Sequence, residues 1–294
     1  MSETPVAAPA KPRRNPALAQ QMVNHTLSTW DLAQRRAGRP EDERSFLITM
    51  RAHQRLVSSF ERERGIPQAS RSRFLLRGDA RGSCLLIHGI STGPGDLEEL
   101  GNHLHEGGFD VYIMRLPDFG RDGVTISDNS WESYLNQVQG CYRLLASGPG
   151  KVHLVGLGYG STLALLLAKN ERPGSLTLLA PALIARESLI QRIMIRLRMH
   201  RIGFLRRRLG WNVDLVEGMD RARGIAGNIK VPIFAAQCQD DERASPDSLR
   251  FLQRKARHRA SLFQLFPEGG HSILGSHGDG ALYAGITDFI CAGG

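Results

Sequence analysis

The sequence predicts an α/β protein, a mostly parallel sheet with helices on both faces and a small helical cap, and three observations carry that prediction. Short apolar, β-branched runs recur through most of the chain with helical segments between them, the pattern of strands buried on both faces and joined by helical crossovers. A sharp glycine-rich turn, Gly156-Leu157-Gly158-Tyr159-Gly160, joins one such run to an apolar helix. One stretch, residues 185–229, interrupts the alternation and is rich in arginine. With 294 residues, 41% of them hydrophobic, the chain is long enough to bury a substantial core in one large domain.

Residues 1–15 carry Pro5, Pro9 and Pro12 among alanine, lysine and arginine and read as a flexible tail. Residues 16–68 read as an N-terminal helical extension. Its second helix, over 41–64, has Phe46, Leu47, Met50, Leu56, Val57 and Phe60 as an approximate apolar face. The α/β domain is expected over 69–294, with strands near 83–88, 109–115, 151–156, 175–180, 231–237 and 261–266.

The interruption at about 185–229 is expected to form the cap over the site. Ten arginines there face only Glu187, Asp214, Glu217 and Asp220, so six of the chain's nine net positive charges lie in this stretch. Arg192, Arg196, Arg206, Arg207 and Arg208 are interleaved with residues such as Ile193, Ile195, Leu197 and Leu205, a basic amphipathic pattern. It suits docking on an anionic membrane surface, attraction of an acidic ligand, or a solvated helix face that covers a pocket.

Several function classes are excluded. No apolar run reaches membrane-spanning length and no secretory leader is visible. Cys84, Cys141, Cys238 and Cys291 are scattered without a C-x-x-C pair, which predicts reduced thiols and a cytoplasmic protein. A net charge of +9 comes without a helix-turn-helix, zinc-finger or aromatic RNA-binding signature, so no nucleic-acid partner is expected. The turn's G-x-G-x-G spacing, mid-chain, differs from the G-x-G-x-x-G of dinucleotide sites. Neither cofactor nor metal is expected.

The turn at 156–160 resembles a nucleophile elbow, G-x-S-x-G, in which flanking glycines allow tight strand–helix packing and a strained central serine stands above the sheet. Both flanks are present, and Gly158 holds the centre. The strand at 83–88 ends in His88-Gly89-Ile90, a lead into a loop whose amides bind a tetrahedral oxyanion. Ile90 is the expected first backbone donor and Tyr159, just after the elbow centre, the second. The strand at 231–237 runs into Asp240-Asp241-Glu242, and the last strand is followed by Gly269-Gly270-His271.

Together these motifs, with the Arg115–Gly120 stretch between them, resemble an α/β-hydrolase of the carboxylesterase and monoacylglycerol-lipase type, a serine aminopeptidase-like group, from about Arg73 to Cys291. The resemblance implies that His271 is the general base and Asp241 its orienting carboxylate, with Asp240 as the alternative. Its one departure is Gly158, at the position of the nucleophile. Ser161 lies in the first helical turn, where it caps or packs; Ser91 reads as a turn hydroxyl and Cys238 as a buried small hydrophobe. Three readings stand: acid–base hydrolysis of an acyl ester, thioester or lactone without a serine, a pseudo-hydrolase that binds a small acyl or hydrophobic ligand or a partner, and an inactivated form of an ordinary esterase.

Overall fold

The apolar runs pair into one seven-stranded sheet in a computed structural model that describes residues 43–293 except 118, 121–129, 185–212 and 279. The strands are β1 (Arg73–Leu75), β2 (Gly82–Ile87), β3 (Asp110–Met114), β4 (Lys151–Leu157), β5 (Leu176–Leu179), β6 (Ile233–Cys238) and β7 (Leu262–Phe266). Their order across the sheet is β1-β3-β2-β4-β5-β6-β7, and every pair is parallel except β1 with β3. Six of the seven coincide with expected strands. The exception, β1, is three half-buried residues, too short to show a two-residue period.

The helices are α1 (Glu43–Glu63), α2 (Glu98–Glu106), α3 (Trp131–Leu145), α4 (Tyr159–Leu167), α5 (Val213–Ile225), α6 (Asp247–Lys255), α7 (Ile273–His277) and α8 (Gly280–Gly293). Strand alternation divides the core between two faces. Leu85, Ile87, Leu154, Leu176 and Ala235 meet side chains of α1, α3, α4, α5 and α6 on one side. Leu86, Val111, Val155, Leu179 and Phe234 meet α2, α7 and α8 on the other. Because β2, β4, β6 and β7 are parallel, their carboxyl ends open on one edge, where α/β sheets place their sites.

Helix α1 is turned differently from its expected face. Phe46, Met50, His53, Val57 and Glu61 are buried at steps of three and four residues, whereas Leu56 is 45% exposed. Glu61 goes inward because Arg115 meets it: the guanidinium Nε donates to Oε1 at 3.0 Å, with both side chains buried. Burial of an ion pair requires such direct compensation.

The tail, the first helix of the N-terminal extension and residues 185–212 of the cap, with Arg192, Arg196, Arg206, Arg207 and Arg208, lie outside the described residues. Of the cap, α5 is described, and there Arg221 pairs with Glu217 at 3.1 Å and Arg223 with Asp220. Among the described residues no helix is long and apolar enough to cross a membrane. All four cysteines are free, with Cys291 exposed and the other three buried.

Candidate active site

The turn between β4 and α4 is as tight as its glycines imply. A Cβ at Gly156 would lie 2.5 Å from the Gly160 carbonyl and Ser161 Cα, and one at Gly160 only 2.0 Å from the Ile87 carbonyl oxygen. Those two contacts hold α4 against β4 and β2. Gly158 has φ +57° and ψ −119°, in the region that favours glycine. Its N–H donates to the Leu179 carbonyl at 2.9 Å, and its carbonyl accepts from Ala182 N at 3.2 Å.

Space remains at Gly158. A Cβ there would meet His271 Nε2 at 3.2 Å, its Cε1 at 3.6 Å and Gly89 Cα at 3.7 Å. The His271 ring is held from behind, its Nδ1 3.0 Å from both carboxylate oxygens of Asp241. A carboxylate only accepts, so Nδ1 carries the proton toward Asp241 and the ring turns Nε2 toward Gly158.

Asp241 is fully buried and accepts further bonds from Arg243 N and Ala244 N, each at 2.9 Å, and from Gln237 Nε2 at 3.3 Å. Burial pushes its carboxyl upward, but the bond from His271 and those backbone amides outweigh burial and hold it below the usual carboxylate range. It therefore stays ionised beside the imidazole.

The two neighbouring carboxylates have different work. Asp240, the alternative partner for the imidazole, instead accepts from Gly269 N at 3.1 Å and Gly270 N at 2.8 Å. Glu242 accepts from His271 N at 3.2 Å. Three consecutive acids thus grip three consecutive residues of the histidine turn, with only the middle acid on the ring. Sequence reasoning missed these outer roles; the signal for them is a run of acids after one strand and a Gly-Gly-His turn after the next.

The loop after β2 packs on the glycine turn. A Cβ at Gly89 would be 3.0 Å from the Leu157 carbonyl oxygen and 3.4 Å from Tyr159 N, and Ile90, next along the chain, is half-buried. His88 is scaffold. Its Nδ1 donates to Gly89 O at 2.6 Å while Nε2 accepts from Leu116 N at 2.9 Å, and burial pushes its pKa down to about 4. The Tyr159 hydroxyl donates to Leu215 O at 3.2 Å, tying the turn to α5.

The other nucleophile candidates are Ser161, Ser91 and Cys238. Ser161 is buried and its hydroxyl lies 2.8 Å from Gly156 O and 3.2 Å from Leu179 O, a tie between helix and sheet. Ser91 is exposed. The Cys238 thiol is pushed up to about 11 by burial and then by the carboxylates of Asp240 and Asp241, so it is no thiolate at neutral pH.

Residues 84–284 match the family model described as alpha/beta hydrolase family. The chain belongs to the α/β hydrolase family. None of the curated proteins compared with it matches significantly by sequence. Among solved structures, this α/β hydrolase is similar to one of two metagenome-derived lipolytic enzymes, at 14% identity and TM-score 0.65, covering 77% of this chain and 99% of that one. It is similar also to a Paleococcus ferrophilus monoacylglycerol lipase, at 17% identity and TM-score 0.65, over 76% and 98% of the two chains. A soluble variant of a Saccharomyces cerevisiae monoglyceride lipase, solved with a substrate analogue, aligns at 15% identity and TM-score 0.59, over 76% and 91%. At these identities the likeness is one of fold.

Proposed function

We propose that this α/β hydrolase is of the esterase and lipase type with its nucleophile position occupied by Gly158, and that His271 and Asp241 activate water directly. The substrate class is an activated acyl ester, thioester or lactone of a small acyl or hydrophobic molecule. One distance carries the reading: the 3.2 Å between a Cβ position at Gly158 and His271 Nε2, with Nδ1 anchored on Asp241. That is where a seryl hydroxymethyl group would stand, and removing it leaves room on the order of one water, about 30 Å³ in the liquid.

In the reaction, His271 Nε2 takes a proton from that water as its oxygen attacks the acyl carbon. The carbonyl oxygen becomes the oxyanion and accepts from the backbone amides of Ile90 and Tyr159. The tetrahedral intermediate collapses, the alkoxide or thiolate leaves and takes the proton from Nε2, and the carboxylic acid is released. Asp241 stays ionised throughout and stabilises the imidazolium. No acyl-enzyme forms. An oxyanion hole and binding alone supply about 10³ to 10⁴ over water, so only activated substrates turn over at a useful rate.

The test is hydrolysis of p-nitrophenyl acetate by the natural chain. The expected result is slow turnover without an initial burst, no labelling by a fluorophosphonate, and loss of turnover in His271→Ala. A stoichiometric burst, or a label on Ser91 or Ser161, would overturn the missing-nucleophile assignment. Turnover no greater than that of His271→Ala would replace the enzyme by a pseudo-hydrolase that binds its acyl ligand without turning it over.

A further inference from the structure

A cavity lies on α1, with no residue in common with the Gly158–His271 region. It has a volume of about 330 Å³ and is lined by Gln54, Arg55, Ser58, Glu61, Arg62, Arg71 and Ser72. Gln54, Ser58 and Arg62 follow one another at four-residue steps along the helix, so they share a face, with Arg55 and Glu61 beside them. Arg71 and Ser72 line the cavity from the segment that leads into β1.

Its charge is one-sided. Glu61 is the only acid among the described lining residues, and its oxygens are already engaged: Oε1 accepts from Arg115 Nε at 3.0 Å and Ser72 Oγ at 2.8 Å, and Oε2 from Ser72 N at 3.0 Å. Arg115, buried behind it, balances its charge. Arg62 and Arg71 use only Nε, on the Ser58 and Ile66 carbonyls, which leaves their terminal amino groups free of those bonds. Among the described residues none of Arg55, Arg62 and Arg71 forms an ion pair with a carboxylate. Three arginines therefore line one concavity without an ion-pair partner among the described residues.

We propose that this cavity binds a phosphate group carried by a small soluble molecule. A phosphomonoester brings about −1.5 to −2 of charge and three acceptor oxygens, and guanidinium forks match that geometry in pairs. The Gln54 amide and the Ser58 hydroxyl add neutral donors. The volume lies near the lower limit of small-molecule clefts, about 300 Å³, so the site takes the phosphate and a small organic body.

The experiment is calorimetric titration of the full chain with inorganic phosphate and with phenyl phosphate at constant ionic strength. Both probes are expected to bind, phenyl phosphate the more tightly. The double variant Arg55→Gln, Arg62→Gln should bind at least tenfold more weakly while melting at the wild-type temperature without phosphate. The control Arg254→Gln, Lys255→Gln removes two exposed charges on α6 and should bind as wild type does. Equal weakening in both double variants, or no heat from either probe, would overturn the site and leave the arginines as a solvated face. Binding to phosphatidate vesicles without binding of the soluble probes would overturn it in favour of a lipid surface.

Discussion

At the turn between β4 and α4, a methyl group on Gly160 would stand 2.0 Å from the Ile87 carbonyl oxygen, whereas the nearest backbone atom to one on Gly158 is Gly89 Cα at 3.7 Å. Packing excludes every side chain from the first position and not from the second. The histidine turn opposite shows the contrary economy, with Asp240, Asp241 and Glu242 all bonded to residues 269–271. Gly158 leaves a position beside His271 without a side chain, whereas each of residues 269–271 is tied by an acid. The difference teaches that Gly158 is not glycine for want of room. Its φ of +57° favours glycine by an amount of the order of 1 to 3 kcal/mol, and a Cβ would press only on His271 Nε2, at 3.2 Å.

The largest effect on stability should come from filling the position that has no room. Gly160→Ala drives a Cβ into the backbone of β2, which must shift or separate from α4. Overpacking that displaces main chain costs about 3 kcal/mol or more, and urea denaturation should show that loss or no folded protein. A stable, wild-type-like Gly160→Ala would mean that the strand–helix contact is looser than described and would erase the contrast with Gly158.

Gly158→Ser comes next, and it tests the same contrast from the permissive side. His271 need yield only a few tenths of an ångström for the serine Cβ, and its Nε2 is then placed to accept from the new hydroxyl. Loss of an active-site serine costs a triad enzyme about 10⁶ in rate, roughly 8 kcal/mol, which sets the ceiling for the gain. We expect at least about 10³-fold faster hydrolysis of p-nitrophenyl acetate, a pre-steady-state burst, and fluorophosphonate labelling at residue 158. A folded variant with none of these would show that Nε2, the acyl carbon and the oxyanion amides do not converge there.

What the sequence made legible follows from where information is local. Strands β2 to β7 are apolar runs bounded by turns, and the order of the glycine turn, Asp241 and His271 fixed which loops to compare. The orientation of α1 was not legible, because buried Glu61 is compensated by Arg115, distant in sequence at the end of β3. The same holds for Asp240 and Glu242, whose partners are backbone amides about thirty residues away. Backbone donors leave no mark in composition. The cavity on α1 was not legible for a like reason, since Arg71 and Ser72 join the lining from outside the helix.

The smallest effect separates the two aspartates of the histidine turn. Asp240 touches no ring atom, and its carboxyl is held below the ordinary range by the Gly270 amide first, with the Gly269 amide adding to it. Gly269 and Gly270 have φ of +131° and +64°, so an untied turn regains wide freedom and His271 loses its place for part of the time. In the Gly158→Ser background, Asp240→Ala should lower kcat severalfold with KM unchanged, and Asp240→Asn, which keeps one acceptor, should recover part of it. The acid limb gives an independent readout. A carboxyl whose folded-state pKa is depressed contributes stability that is fully present above its unfolded value, about 3.9, and is lost as pH falls through the folded one. The gap in melting temperature between the natural chain and Asp240→Ala should therefore be constant above about pH 5 and close as the pH drops below the ordinary carboxylate range. A gap that widens toward acid, or a fall in kcat matched by a rise in KM, would show that Asp240 acts on the ligand or the fold at large and not by positioning His271.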